Sequence, residues 1–78
     1  MKVKVRVFAT LLEYVKTKLG ETLTVELEKG ADGGDLLKKI NIPVNEVKLF
    51  IVNGKWQEID EPLKDEDTIG IFPPVGGG

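Results

Sequence analysis

Cysteine and histidine are both absent from the 78 residues. Without cysteine there is no disulfide framework, no thiolate nucleophile and no thiolate-held metal. Without histidine the commonest general base and the commonest metal ligand are missing too. Small secreted domains usually lean on disulfides, so the expected location is the cytoplasm. Long apolar runs are also lacking: none approaches the ~20 residues of a membrane span. The opening Met1-Lys2-Val3-Lys4-Val5-Arg6 alternates apolar and charged residues, unlike a signal sequence. Neither sign of charge dominates, with 11 Lys and Arg against 13 Asp and Glu and a net charge of −2. The basic residues are dispersed, and no basic patch is interleaved with aromatics. Neither nucleic acid nor an anionic membrane is therefore an expected partner.

Hydrophobic residues make up 41% of the chain, enough to form a core. The length fits one domain, and a domain this small has little room for a deep cleft beside its core. These limits argue against an enzyme that works alone.

Alternation marks residues 2–8 as a strand, with Val3, Val5 and Val7 on one face. Lys2, Lys4 and Arg6 take the other face, and Phe8 continues it. Residues 9–21 read as a connection with a short helical turn, closed by Gly20. A second strand, 22–28, turns Leu23, Val25 and Leu27 inward and pairs antiparallel with the first. Residues 32–40 read as a helix capped by Asp32, with Asp35 near the positive end of its dipole. Leu36, Leu37 and Ile40 form its apolar stripe. Gly33-Gly34 should weaken its first turn by up to ~1 kcal/mol each, and Pro43 stops it. In a third strand, 47–52, Val47, Leu49 and Ile51 alternate with Lys48, Phe50 and Val52. Asn53-Gly54 is a hairpin turn of type I′, leading into a short strand from Trp56 to Ile59. Residues 61–67 are a turn region. The last strand runs from Thr68 to Phe72, with Ile69 and Ile71 inward and Phe72 outward.

This order predicts an α+β domain: a mixed sheet of about five strands with one main helix packed on one face. It fits the β-grasp, or ubiquitin-like, fold, with the first and last strands parallel in the middle of the sheet. Residues 1–72 form the domain and residues 73–78 a flexible tail.

The tail reads Pro73-Pro74-Val75-Gly76-Gly77-Gly78. Two prolines favour a stiff, extended exit from the sheet. The glycines that follow carry no Cβ and can thread a narrow slot in another protein. The reactive group such a tail offers is the Gly78 carboxylate, ionised at neutral pH. It can attack the α-phosphate of ATP and give an acyl-adenylate, open to sulfur or amine nucleophiles. The catalytic groups for that step belong to a partner. Asn53-Gly54-Lys55 matches no phosphate loop. The acidic pairs Asp65/Asp67 and Asp60/Glu61 read as solvated turn residues. No metal site is expected.

Phe72-Pro73-Pro74-Val75-Gly76-Gly77-Gly78 resembles the C-terminus of the MoaD branch of the MoaD/ThiS sulfur carriers. Val52-Asn53, Pro62-Leu63, Asp65-Glu66-Asp67 and Phe8-Ala9 resemble that family's pattern at the matching spacing. The resemblance implies that a ubiquitin-activating-like adenylyltransferase uses Mg-ATP to adenylate Gly78. A sulfur donor system then converts it to a thiocarboxylate. The tail next enters the large subunit of molybdopterin synthase and delivers sulfur to a pterin precursor, building the ligand for molybdenum or tungsten. Gly77 and Gly76 would thread the slot, and Pro73, Pro74 and Val75 would set its direction. Phe8, Phe72 and Trp56 read as a docking patch because exposed aromatics on a sheet face commonly mark partner surfaces, although Phe8 and Phe72 can also simply cover each other; the resemblance implies partner contact at the positions of Trp56 and Phe72. No stably bound cofactor is implied. Four positions depart from the family's usual residues: Gly33-Gly34 for an apolar helix start, Glu66 for Gly, and Gly76 for Ala, Ser or Thr. A protein modifier joined to lysines, or a carrier for tRNA thiolation or thiazole synthesis, would act through the same Gly78.

Overall fold

A computed structural model describes residues 1–15 and 20–74. Five strands form one sheet: β1 (Lys2–Val7), β2 (Leu23–Glu26), β3 (Leu49–Val52), β4 (Lys55–Trp56) and β5 (Thr68–Phe72). Their order across the sheet is β2-β1-β5-β3-β4. β1 pairs antiparallel with β2 and parallel with β5, while β5 pairs antiparallel with β3. The first and last strands thus lie side by side at the centre, which is the β-grasp arrangement.

Alternation decides the faces. Val3, Val5 and Val7 of β1, and Ile69 and Ile71 of β5, are buried almost completely. The helix α1 (Gly33–Lys39) closes over this face and contributes Leu36 and Leu37 to the same core. Its start is set by a capping box: Asp32 Oδ1 accepts from the Asp35 N–H, and Asp35 Oδ2 accepts from the Asp32 N–H. Its end is a Schellman motif. Asn41 takes the left-handed conformation (φ 62°), and the Ile42 N–H donates to the Leu37 carbonyl. Ile42 is thereby turned into the core.

At Gly33 the helix packs directly against the Ile59 carbonyl and the Phe50 ring. A Cβ there would lie 2.8 Å from the Ile59 carbonyl oxygen and 2.9 Å from Cζ of Phe50. Glycine is therefore what permits the contact, and the helix propensity it forfeits is offset by that packing. Gly34 is less confined, and its N–H donates to the Ile59 carbonyl.

Several boundaries differ from the sequence reading. β3 begins at Leu49, because Val44–Glu46 forms a 3₁₀ turn and the Val47 N–H bonds back to the Val44 carbonyl. β4 is only Lys55–Trp56; the Gln57 N–H adds one more bond to the Phe50 carbonyl in the same register, and the chain then turns at Ile59 and Asp60. The connection after β1 holds a 3₁₀ helix, Ala9–Tyr14, that buries Leu11.

Candidate functional site

The site is the place where the chain leaves the sheet after β5. The exit is held from both sides. On the β1 side the Phe8 N–H donates to the Ile71 carbonyl at 3.1 Å; on the β3 side the Lys48 N–H donates to the Phe72 carbonyl at 2.8 Å. Phe72 is thus held on both sides, and Pro73 leaves from a central strand. Pro73 is half-buried and Pro74 exposed as the chain departs.

Phe8 and Phe72 face away from α1, as alternation predicts. Their rings stack with centroids 4.3 Å apart and planes within 3°. Such a pair contributes about 0.5–1.5 kcal/mol beyond the area it buries. The rings do cover each other, yet both remain half-exposed. Gly70 makes room for them: a Cβ there would sit 3.2 Å from Cε1 of Phe72 and 3.7 Å from Cε2 of Phe8.

Leu49 stands opposite Phe72, and Ile51 opposite both Gly70 and Trp56. The outward face is therefore an apolar surface running from Phe8 through Phe72 and Leu49 to Ile51. A shallow groove of about 390 Å³ at the exit is lined by Phe8, Ala9, Thr10, Leu49, Phe72, Pro73 and Pro74. Exposed apolar surface of this kind makes the face a candidate partner-binding surface.

Trp56 is apart from the ring pair. It is 60% exposed on edge strand β4 and borders a different depression with Gln57, Glu61, Pro62 and Lys64. The structure thus joins Phe8 and Phe72 and sets Trp56 across β3 from them. Leu49 and Ile51 escaped the sequence reading as face residues. Every residue of β3 is apolar, so alternation there carries no sign of which side is outward. Gly76, Gly77, Gly78 and Val75 lie outside the described residues.

The acidic turn needs a correction. Asp67 is not solvated; it is buried to 7% exposure. Asn53 Nδ2 and the Lys64 N–H donate to its two oxygens, each at 2.8 Å. Asn53 Oδ1 in turn accepts from the Thr68 N–H at 2.9 Å. The physical cause is the preceding residue: Glu66 takes φ 69°, which turns the chain so that Asp67 points inward. Asp65 accepts from the Lys2 N–H at 2.8 Å. These carboxylates tie the start of β5 to β1 and to the β3–β4 hairpin. Both residues of that hairpin turn have positive φ, 52° at Asn53 and 82° at Gly54, as type I′ requires. Among the described residues no group of His, Cys, Asp or Glu is arranged to hold a metal ion, and no helix is long and apolar enough to cross a membrane.

The ThiS family matches residues 5–78, and the chain belongs to that family of ubiquitin-like sulfur carriers and modifiers. A Pyrococcus furiosus protein assigned as molybdopterin converting factor subunit 1 is 30% identical, with a TM-score of 0.73 over 95% of this chain and 98% of its own. The small archaeal modifier protein 1 of Methanosarcina acetivorans is 26% identical, with a TM-score of 0.71 over 99% and 96%. A Helicobacter pylori chain, solved in the complex of molybdopterin-converting factor subunits 1 and 2, is 25% identical with a TM-score of 0.58 over the full length of both. No curated protein matches this chain.

Proposed function

We propose that this protein carries sulfur on Gly78 for assembly of a molybdopterin-type cofactor. The observation that carries the reading is the family match extending through Gly78, directly beyond a strand exit fixed by Phe8 and Lys48. In this reading the Gly78 carboxylate attacks the α-phosphorus of Mg-ATP on an activating adenylyltransferase, and pyrophosphate leaves. Sulfide released by a sulfur donor then attacks the acyl carbon, AMP leaves, and the product is a thiocarboxylate. Gly77, Gly76 and Val75 thread the tail into the large subunit of the synthase. Pro73 and Pro74 aim it, and the Phe8–Phe72 face docks outside. The Helicobacter pylori complex of subunits 1 and 2 supports a large-subunit partner.

The likeness to small archaeal modifier protein 1 favours a second reading, in which the same adenylate is captured by a lysine amine of a target protein. Intact mass separates the two. With the activating enzyme, Mg-ATP and a sulfur donor, the carrier should gain the difference between one sulfur and one oxygen. A ladder of larger conjugates, with no thiocarboxylate, would instead support the modifier. Removing Gly78, or Gly77→Phe, should leave the unfolding curve unchanged and stop either reaction. Full-rate transfer by the chain without Gly78 would sink both readings.

A further inference from the structure

Beside the stacked rings, on the same outward face, is a second depression. Its volume is about 200 Å³, and Arg6, Phe8, Ile51, Gly54, Thr68 and Gly70 line it together with Phe72. It exists because the central strand has no side chain at Gly70. The register sets the walls: Arg6 and Ile51 flank Gly70 across its two neighbouring strands, and the ring edges of Phe8 and Phe72 close the end nearest the tail.

Within the strand register beside the notch, the charged side chains of the outward face are basic. Arg6 donates through Nε to Thr22 Oγ1 at 3.3 Å, which anchors its guanidinium at the rim. The next outward residue along β1 is Lys4, whose cross-strand neighbours are Thr24 and Thr68. No acidic side chain enters these two rows of the register; Glu26 stands opposite Lys2, and Glu21 precedes the Thr22 that holds Arg6. In a chain of net charge −2, this rim is locally basic.

We infer that the notch over Gly70 receives an apolar side chain of the docking protein, next to a carboxylate of that protein paired with Arg6. The inference rests on the docking reading above and names the chemistry that reading leaves open. Two observations select this occupant. The notch and the groove at the tail exit share Phe8 and Phe72, so a protein that takes the tail also covers the notch. The basic rim then selects an acidic neighbour by charge complementarity. A filled central pocket ringed by near-neutral contacts is the usual form of an interface hot spot. The peripheral charge pair acts mainly on the association rate.

The test is binding of the intact chain to the recombinant large synthase subunit from the same organism, with rates read at several salt concentrations. Gly70→Val fills the notch and should weaken binding by about tenfold or more. Arg6→Gln should weaken it by about threefold, mainly through slower association, and flatten the salt dependence. Arg6 is exposed, so Arg6→Gln folds even if Gly70→Val disturbs the ring pair. Wild-type affinity and salt dependence in Arg6→Gln, or wild-type affinity in a folded Gly70→Val, would overturn the inference while leaving the docking reading intact. Failure of the wild-type chain to bind would overturn both.

Discussion

The two faces of the sheet are built from alternate residues of the same strands, and they do different work. On β5, Ile71 is fully buried under α1, whereas Phe72 stays half-exposed beside Phe8. On β3, Phe50 is buried while Leu49, one residue earlier, is 40% exposed. The inner face is closed by the chain's own helix. Among the described residues nothing comparable covers the outer face, where Leu49 and Trp56 stay exposed. If the outer face docks a partner as proposed, stability and recognition fall on alternate positions of the same strands, and adjacent substitutions should separate them.

The largest effect should come from Ile71→Ala, which leaves a cavity in the centre of the core. It should cost about 2–5 kcal/mol of unfolding free energy, read as a fall in the urea midpoint. Phe72→Ala removes the stacked ring and should cost less than Ile71→Ala in stability, while it weakens large-subunit binding more. Equal loss of stability in the two variants would break the comparison. Gly33→Ala tests how closely the inner face is fitted. Its Cβ would collide with the Ile59 carbonyl and the Phe50 ring, so a cost of about 1–3 kcal/mol is expected. Gly34→Ala, one residue on, should cost clearly less, because its Cβ meets only Asp32 Oδ1 at 3.3 Å and Ile59 Cγ2 at 3.6 Å.

Asp67→Ala should cost about 1–3 kcal/mol by leaving the Asn53 amide and the Lys64 N–H without their acceptor. Because Asp67 holds the start of β5, hydrogen exchange should speed up at Thr68 and Ile69 before it does in α1. Uniform acceleration across the domain would argue against a local tie. The smallest change should be Glu66→Gly. It relieves a left-handed conformation that costs a non-glycine residue ~1 kcal/mol, and the greater freedom of the unfolded glycine cancels part of the gain. A thermal midpoint equal to or slightly above that of the wild type is expected.

Much of this was legible in local sequence. Strict alternation gave the inward faces of β1 and β5. Asn53-Gly54 gave the hairpin, and Asp32 with Asp35 gave the helix start. What escaped depends on residues distant in the chain. The need for Gly33 comes from Phe50 and Ile59, which the sequence does not show to be neighbours. Asp67 sits in an acidic turn and looks solvated until Asn53, brought across by the hairpin, supplies its partner. The β3 faces were unreadable because Leu49 to Val52 is apolar throughout. At the candidate site, the outward pair Phe8 and Phe72 was readable from alternation, but the notch over Gly70 was not, since it consists of a missing side chain between two other strands.

The central position of β5 has a consequence for synthesis on the ribosome. β1 emerges first but pairs on one side with β5, as does β3, so neither finds its full set of neighbours until residues 68–72 are free. A nascent or truncated polypeptide that stops short of Phe72 lacks the middle of its sheet and remains open to proteolysis. The exit after Phe72 is thus presented only by a polypeptide whose sheet is already complete.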